Sequence, residues 1–245
     1  MERAALTPPA RYAVYLAPPP RSALWRFGCD VLGRDPVTGE TISNFAIDGI
    51  DAEGWRELTT EPRRYGFHAT LKAPFRMKEG VSVNELFQAV ARLAGALAPF
   101  EVGPLGVSTI AAGPNREFVA LTPIEPSHEL ARLENAVVRS LDRFRAPLTD
   151  GERLRRDPAR LTPRQRDTFE TWGYPFALDE FRPHFTLTNA VADAATIAAA
   201  LAREFARRVA RPLLTADALV LFAQDGADRD FTILRRFALG GSDAA

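Results

Sequence analysis

The sequence predicts an α+β fold built from a strand–helix–hairpin unit that occurs twice. Short apolar runs of period two alternate along the chain with longer stretches of helical period. The tetrapeptide pattern H-x-T-L begins at His68 and again at His184. Elements of the same type then follow each copy in the same order, which is the signature of an internal duplication.

Tyr12, Val14 and Leu16 alternate with other residues and read as a first strand, closed by Pro18 to Pro20. A helix follows from Ser22 as N-cap to Gly33 as stop. Residues 34–62 are rich in turn formers and show no clear period. The first repeat unit spans about 67–124. Its strand is 67–75, F-H-A-T-L-K-A-P-F, with Pro74 at its end. Its helix opens on the capping box Ser82 and Glu85 and carries Leu86, Val90, Leu93 and Leu97 on one face. Residues 105–112 and 117–124 then flank G-P-N-R as a hairpin.

Between the units, Ser127 caps a helix with Leu130, Leu133, Val137, Leu141 and Phe144 on one side. Residues 149–180 form a polar insertion, with helix starts at Thr149 and at Thr162-Pro163 and a stop at Gly173. Such a segment serves as a lid or specificity element, or is simply a solvated excursion. The second unit spans about 183–239: a strand at 184–190, a helix with Ile197, Leu201, Phe205 and Val209, and a hairpin of 215–223 and 230–239 around G-A-D-R.

The 245 residues are 46% hydrophobic and 25% charged. A chain of that size buries about 70% of its unfolded surface without a disulfide or metal, as one large domain or as two lobes. The 31 basic and 31 acidic residues cancel, which leans against a long nucleic-acid footprint driven by bulk charge. There is no signal-like N-terminus and no apolar run long enough to span a membrane, so the expected location is the cytoplasm. Cys29 is the single cysteine, which excludes an intrachain disulfide or thiolate cage, and its setting reads as an inert buried thiol.

Strand alternation carries the chemistry. His68 and Thr70 project on one face while Phe67, Ala69 and Leu71 project on the other. His184 and Thr186 do the same in the second unit. Each strand thus offers an imidazole and a hydroxyl about 7 Å apart. If a pseudo-twofold axis brings the strands together, the four groups converge on one cleft. Two imidazoles titrating near neutrality suit a reaction that removes one proton and delivers another. The hydroxyls suit donation to non-bridging phosphate oxygens. The pattern therefore points to metal-free acid–base chemistry on a phosphodiester, with no cofactor. A metal is the weaker reading, since zinc takes three or four ligands and no H-x-H, H-E-x-x-H or cysteine cluster accompanies the pair. His128 lacks the pattern and reads as a surface residue.

Substrate-binding candidates surround the motifs. Lys72 continues the face of His68 and Thr70, where the second unit has Thr188. Arg182 lies two residues before His184 and could clamp a phosphate oxygen. Arg64 and Tyr65 precede the first motif, and Tyr174 lies in W-G-Y-P-F of the insertion.

Paired H-x-T motifs in F-H-A-T-L and P-H-F-T-L resemble the two-histidine (2H) phosphoesterase superfamily. The resemblance runs from about Arg11 to Leu239 and implies a single bilobal domain over 1–245, with two antiparallel sheets, helices packed outside and the H-x-T motifs in a central cleft. F-H-A-T-L-K-A-P-F, F-R-A-P-L-T, W-G-Y-P-F and E-F-R-P-H-F-T-L-T further resemble a branch described as phosphonate metabolism proteins, a domain of unknown function. That branch implies a small-molecule phosphate substrate, of which a ribosyl 1,2-cyclic phosphate is the leading choice. The activity implied is a cyclic phosphodiesterase. Processing of RNA 2′,3′-cyclic ends and non-catalytic sensing of a nucleotide or sugar phosphate are the alternatives.

Overall fold

A computed structural model describes residues 11–42 and 45–241. Its strands are β1 (Arg11–Leu16), β2 (Ala69–Phe75), β3 (Phe100–Gly113), β4 (Arg116–Pro123), β5 (Phe185–Thr186), β6 (Leu213–Ala216), β7 (Ala218–Gln224) and β8 (Thr232–Ala238). The helices are α1 (Ala23–Leu32), α2 (Ala52–Leu58), α3 (Thr60–Arg63), α4 (Val83–Gly95), α5 (His128–Leu141), α6 (Asp150–Arg156), α7 (Pro163–Trp172) and α8 (Ala194–Arg208).

Local chemistry sets the helix ends. The Ser22 side chain accepts from Trp25 N–H to start α1, and Gly33 ends it at φ 70°. Capping boxes Ser82/Glu85, Thr149/Glu152 and Thr162/Gln165 open α4, α6 and α7. Gly173, at φ 78°, closes α7. Within 34–62, where the sequence shows no period, α2 and α3 form short turns of helix, with bridges Arg34 to Thr41 and Ile47 to Ile50.

All strand pairs are antiparallel, in the order β6-β3-β4-β5-β2-β1-β7-β8. Two four-stranded halves meet where β5 pairs with β2 through Phe185 and Ala69. The hairpins cross between them. The β3–β4 hairpin follows α4 in the chain yet pairs through β4 with β5, whereas the β7–β8 hairpin follows α8 yet pairs through β7 with β1. α4 packs on β7 and β8, α8 on β3 and β4, and α5 on β2. A strand or helix from one end of the chain is thus completed by partners from the other.

β5 is shorter than the expected 184–190. Pro183 has no N–H to extend the ladder backward. Beyond Thr186 the chain bends, with Leu187 N–H and Thr188 N–H both directed at the Val119 carbonyl and the Thr188 hydroxyl accepting from Val119 N–H.

The main core lies between the sheet and its helices, taking Tyr12, Val14 and Leu16 from β1 with Leu71, Phe185, Leu201 and Leu221. The alternate residues Ala13 and Tyr15 face a second cluster with Trp25, Cys29, Phe222 and Phe231. β1 is therefore buried on both faces, and its second face is the one that supports the site.

Candidate active site

β2 and β5 bring His68, Thr70, His184 and Thr186 to one cleft of about 550 Å³. The approach to His68 depends on two glycines. Gly66 has φ +76°, which turns its carbonyl to accept from His68 Nδ1 at 2.8 Å. Gly28 of α1 lies so close to Phe67 that a Cβ would fall 2.1 Å from the ring. Phe67 in turn packs on Phe185, with ring centroids 4.9 Å apart, so apolar residues next to the two histidines lock the motif strands together.

His68 stacks on Tyr15, with centroids 3.7 Å apart and planes 21° from parallel. His184 repeats the backbone anchor, its Nδ1 lying 2.7 Å from the Arg182 carbonyl, and packs on Phe118 at 5.4 Å. A carbonyl only accepts, so in both rings Nδ1 carries the proton and Nε2 is available to take or deliver one. Thr70 Oγ1 lies 3.3 Å from His68 Nε2.

Burial pushes His68 down to about 4, against the opposing pull of the Gly66 carbonyl, and the neighbouring His184 adds to the downward shift. Burial also lowers His184, opposed by the Arg182 carbonyl. Both rings are thus held toward the neutral state until an anion enters.

The other expected residues divide. Tyr65 and Tyr174 line the cleft, Tyr65 stacked on Phe231 at 5.3 Å. Lys72 does not join the histidines. A bulge between β1 and β2 sets Thr70 opposite Tyr15 but Lys72 opposite Val14, which breaks the alternation on which the expectation relied. Lys72 is buried instead, its Nζ 3.0 Å from Asp142 Oδ1. Arg64 is drawn to the β7–β8 turn, donating to the Ala227 carbonyl at 2.8 Å, and lies off the cleft lining. Arg182 lies beside an adjoining apolar recess of about 260 Å³, walled by Ile110, Phe118, Phe176 and Phe181, that also opens onto Thr70 and His184.

Several lining residues escaped sequence reasoning. Arg11 and Tyr15 come from β1, Asn189 from the bend after β5, and Glu152, Arg155 and Arg156 from α6. For Tyr15 a signal existed, since the unbroken apolar run from Tyr12 to Ala17 marks a strand covered on both faces. The insertion borders the cleft, which it also lines through Phe169 and Tyr174.

Among the described residues, no group of three or more His, Cys, Asp or Glu side chains is placed to hold a metal ion, and no helix is long and apolar enough to cross a membrane.

Residues 70–232 match the family model described as "Protein of unknown function (DUF1045)". Two curated relatives bear the name ribose 1,5-bisphosphate phosphokinase PhnN. The one from Janthinobacterium sp. (strain Marseille) is 36% identical over 236 residues, covering 94% of this chain and 51% of that protein. The one from Laribacter hongkongensis (strain HLHK9) is 32% identical over 231 residues, covering 92% and 51%. The chain spans about half the length of these relatives. Among solved structures, E. coli LigT complexed with 3′-AMP is similar at a TM-score of 0.44 and 18% identity, over 94% of this chain and 98% of that one. TT0787 of Thermus thermophilus is similar at 0.42 and 14%, over 95% and 99%.

Proposed function

The chain belongs to the DUF1045 family of proteins of unknown function, and from its paired imidazoles we propose that it is a phosphoesterase that opens a small cyclic phosphodiester with water. The observation that carries this reading is the common cleft onto which both rings open, each anchored through Nδ1 to a backbone carbonyl.

In this mechanism His68 is the base. Its burial beneath Tyr15 holds it neutral, and its Nε2 takes a proton from the attacking water as the water oxygen bonds to phosphorus. His184, made cationic by the bound anion, delivers its Nε2 proton to the ring oxygen as the bond from phosphorus to that oxygen breaks. The product is an open phosphomonoester, and proton exchange with solvent restores the pair. Thr70 and Thr186 donate to non-bridging oxygens, where charge grows in the transition state. Neither ring need move, because strand pairing holds the two on the flanks of the reacting phosphorus.

The substrate we favour is a ribosyl 1,2-cyclic phosphate. The motif resemblance supports it, as does the name of the curated relatives, which concerns a ribose bisphosphate. A second reading, a 2′,3′-cyclic nucleotide or RNA end, is supported by the apolar recess beside His184, whose aromatic walls suit a base.

The test is turnover of a panel containing ribosyl 1,2-cyclic phosphate and 2′,3′-cyclic nucleotides, assayed with and without chelator. His68→Ala and His184→Ala are each expected to lower turnover about 100- to 10,000-fold while circular dichroism stays unchanged. Full activity in a folded His68→Ala protein, or activity abolished by the chelator, sinks the mechanism.

A further inference from the structure

The cleft holds more positive charge than the histidine chemistry uses. The last turn of α6 carries Arg153, Arg155 and Arg156. Arg153 is paired with Glu170 and ties α6 to α7. Arg155 and Arg156 line the cleft instead, and among the described residues neither forms an ion pair with a carboxylate. The Arg156 guanidinium lies 5.1 Å from the Tyr174 ring centroid, so an aromatic face rather than an acid supports it. Arg11 of β1 reaches the same cleft, held through Nε by Gln224 Oε1 at 2.8 Å and set 5.4 Å over the Phe231 ring. That bond engages Nε and leaves the fork of terminal nitrogens for another acceptor.

Two acids share the lining, but they do not cancel this charge. Glu152 is bound by Arg76 Nε and Nη2 at 3.2 and 3.1 Å, and it also caps α6. Its carboxyl sits well below the usual range, because the Arg76 and Thr149 bonds outweigh the upward push of burial. Glu61 remains, one acid against three guanidiniums.

A cyclic phosphodiester carries a single negative charge, which the histidines and threonines already serve. We infer that Arg155 and Arg156, with Arg11, form a second anion subsite, so that the substrate bears a phosphomonoester in addition to the diester that reacts. This rests on the reading of the cleft as a phosphate site. Guanidinium suits the task because its planar fork matches a phosphate with two parallel bonds and stays charged at any working pH. Two of the three arginines come from the insertion, so the same contact makes that segment a specificity element of the cleft.

The experiment compares two acyclic probes by titration calorimetry, ribose 1-phosphate and ribose 1,5-bisphosphate, which differ only in the second phosphate. The full chain is expected to bind the bisphosphate at least about 10-fold more tightly, as one or two charge-assisted contacts would give. In an Arg155→Ala, Arg156→Ala double variant that ratio should fall to near one. Arg153→Ala, which removes a neighbouring charge outside the cleft, should keep it. A ratio near one in the unsubstituted chain, or a preference that persists in the double variant, overturns the inference. Should the double variant fail to fold, the single Arg155→Gln and Arg156→Gln variants carry the same comparison. Neither probe requires turnover, so failure to open any cyclic phosphate overturns the phosphoesterase reading separately.

Discussion

His68 and His184 share a motif but differ in setting, and the difference assigns them the roles of base and acid in the mechanism we propose. His68 lies under Tyr15 and is pushed by burial to about 4, while His184, packed on Phe118, is also lowered by burial. In the proposed mechanism the free protein needs His68 neutral and His184 cationic. The kcat/KM should therefore rise through about pH 4 and fall again before pH 6.5, where the lowered His184 has already lost its proton. The kcat profile should lie at higher pH, because a bound phosphate favours the imidazolium. A rate profile flat between about pH 4 and 8 would remove both rings from proton transfer. Lys72 illustrates the opposite case, a residue whose setting removes it from the site. Its ammonium is buried against Asp142, which also receives Arg145 Nε at 2.8 Å. Lys72→Ala should lower stability by about 2–4 kcal/mol in urea unfolding, with kcat changed less than about threefold. A large loss of kcat without loss of stability would return Lys72 to phosphate contact.

At the scale of elements, the insertion is held to the domain by a buried acid. Glu134 of α5 accepts from the Leu178 N–H at 3.1 and 3.3 Å, steadying a residue at φ 57° just after the cleft residue Tyr174. Burial raises its carboxyl to about 7, although the Leu178 bond and the charge of Lys72 pull downward. The folded-state value lies above the ordinary 4.5, so the unfolded chain loses its proton first. Stability from this group is therefore complete below about pH 4.5 and is lost as pH rises through about 7. Glu134→Gln keeps an acceptor for Leu178 and removes the titration. It should raise Tm relative to the parent at about pH 8 and leave the two equal at about pH 4.5; equal Tm values at the higher pH would show that the carboxyl is not perturbed.

At the scale of the whole molecule, the exchange of hairpins pairs strands of each half with strands from the other part of the chain. β1 needs β7 from the end of the chain, and β5 needs β4 from its middle. Residues 1–148 alone would leave the buried strand β1 with one partner and expose Tyr15 and Phe67. Such a fragment should show no cooperative unfolding and should be digested rapidly by trypsin. A fragment with dispersed amide resonances and a sharp melting transition would mean that the first unit folds alone.

The helices other than α2 and α3, most of their caps, the hairpins and the paired histidine motifs were legible in the sequence, because each depends on neighbours within a few positions: Ser82 reaches Glu85, Gly33 ends its own helix, and His68 and Thr70 open on one cleft. What only tertiary structure decided is long-range. The bulge that turned Lys72 toward Asp142, the Tyr15 ring beneath His68, and the arginines of α6 beside the cleft all depend on segments that are distant from one another in the chain. Local pattern records which face a residue prefers, whereas the partner on that face is set by packing between those distant segments.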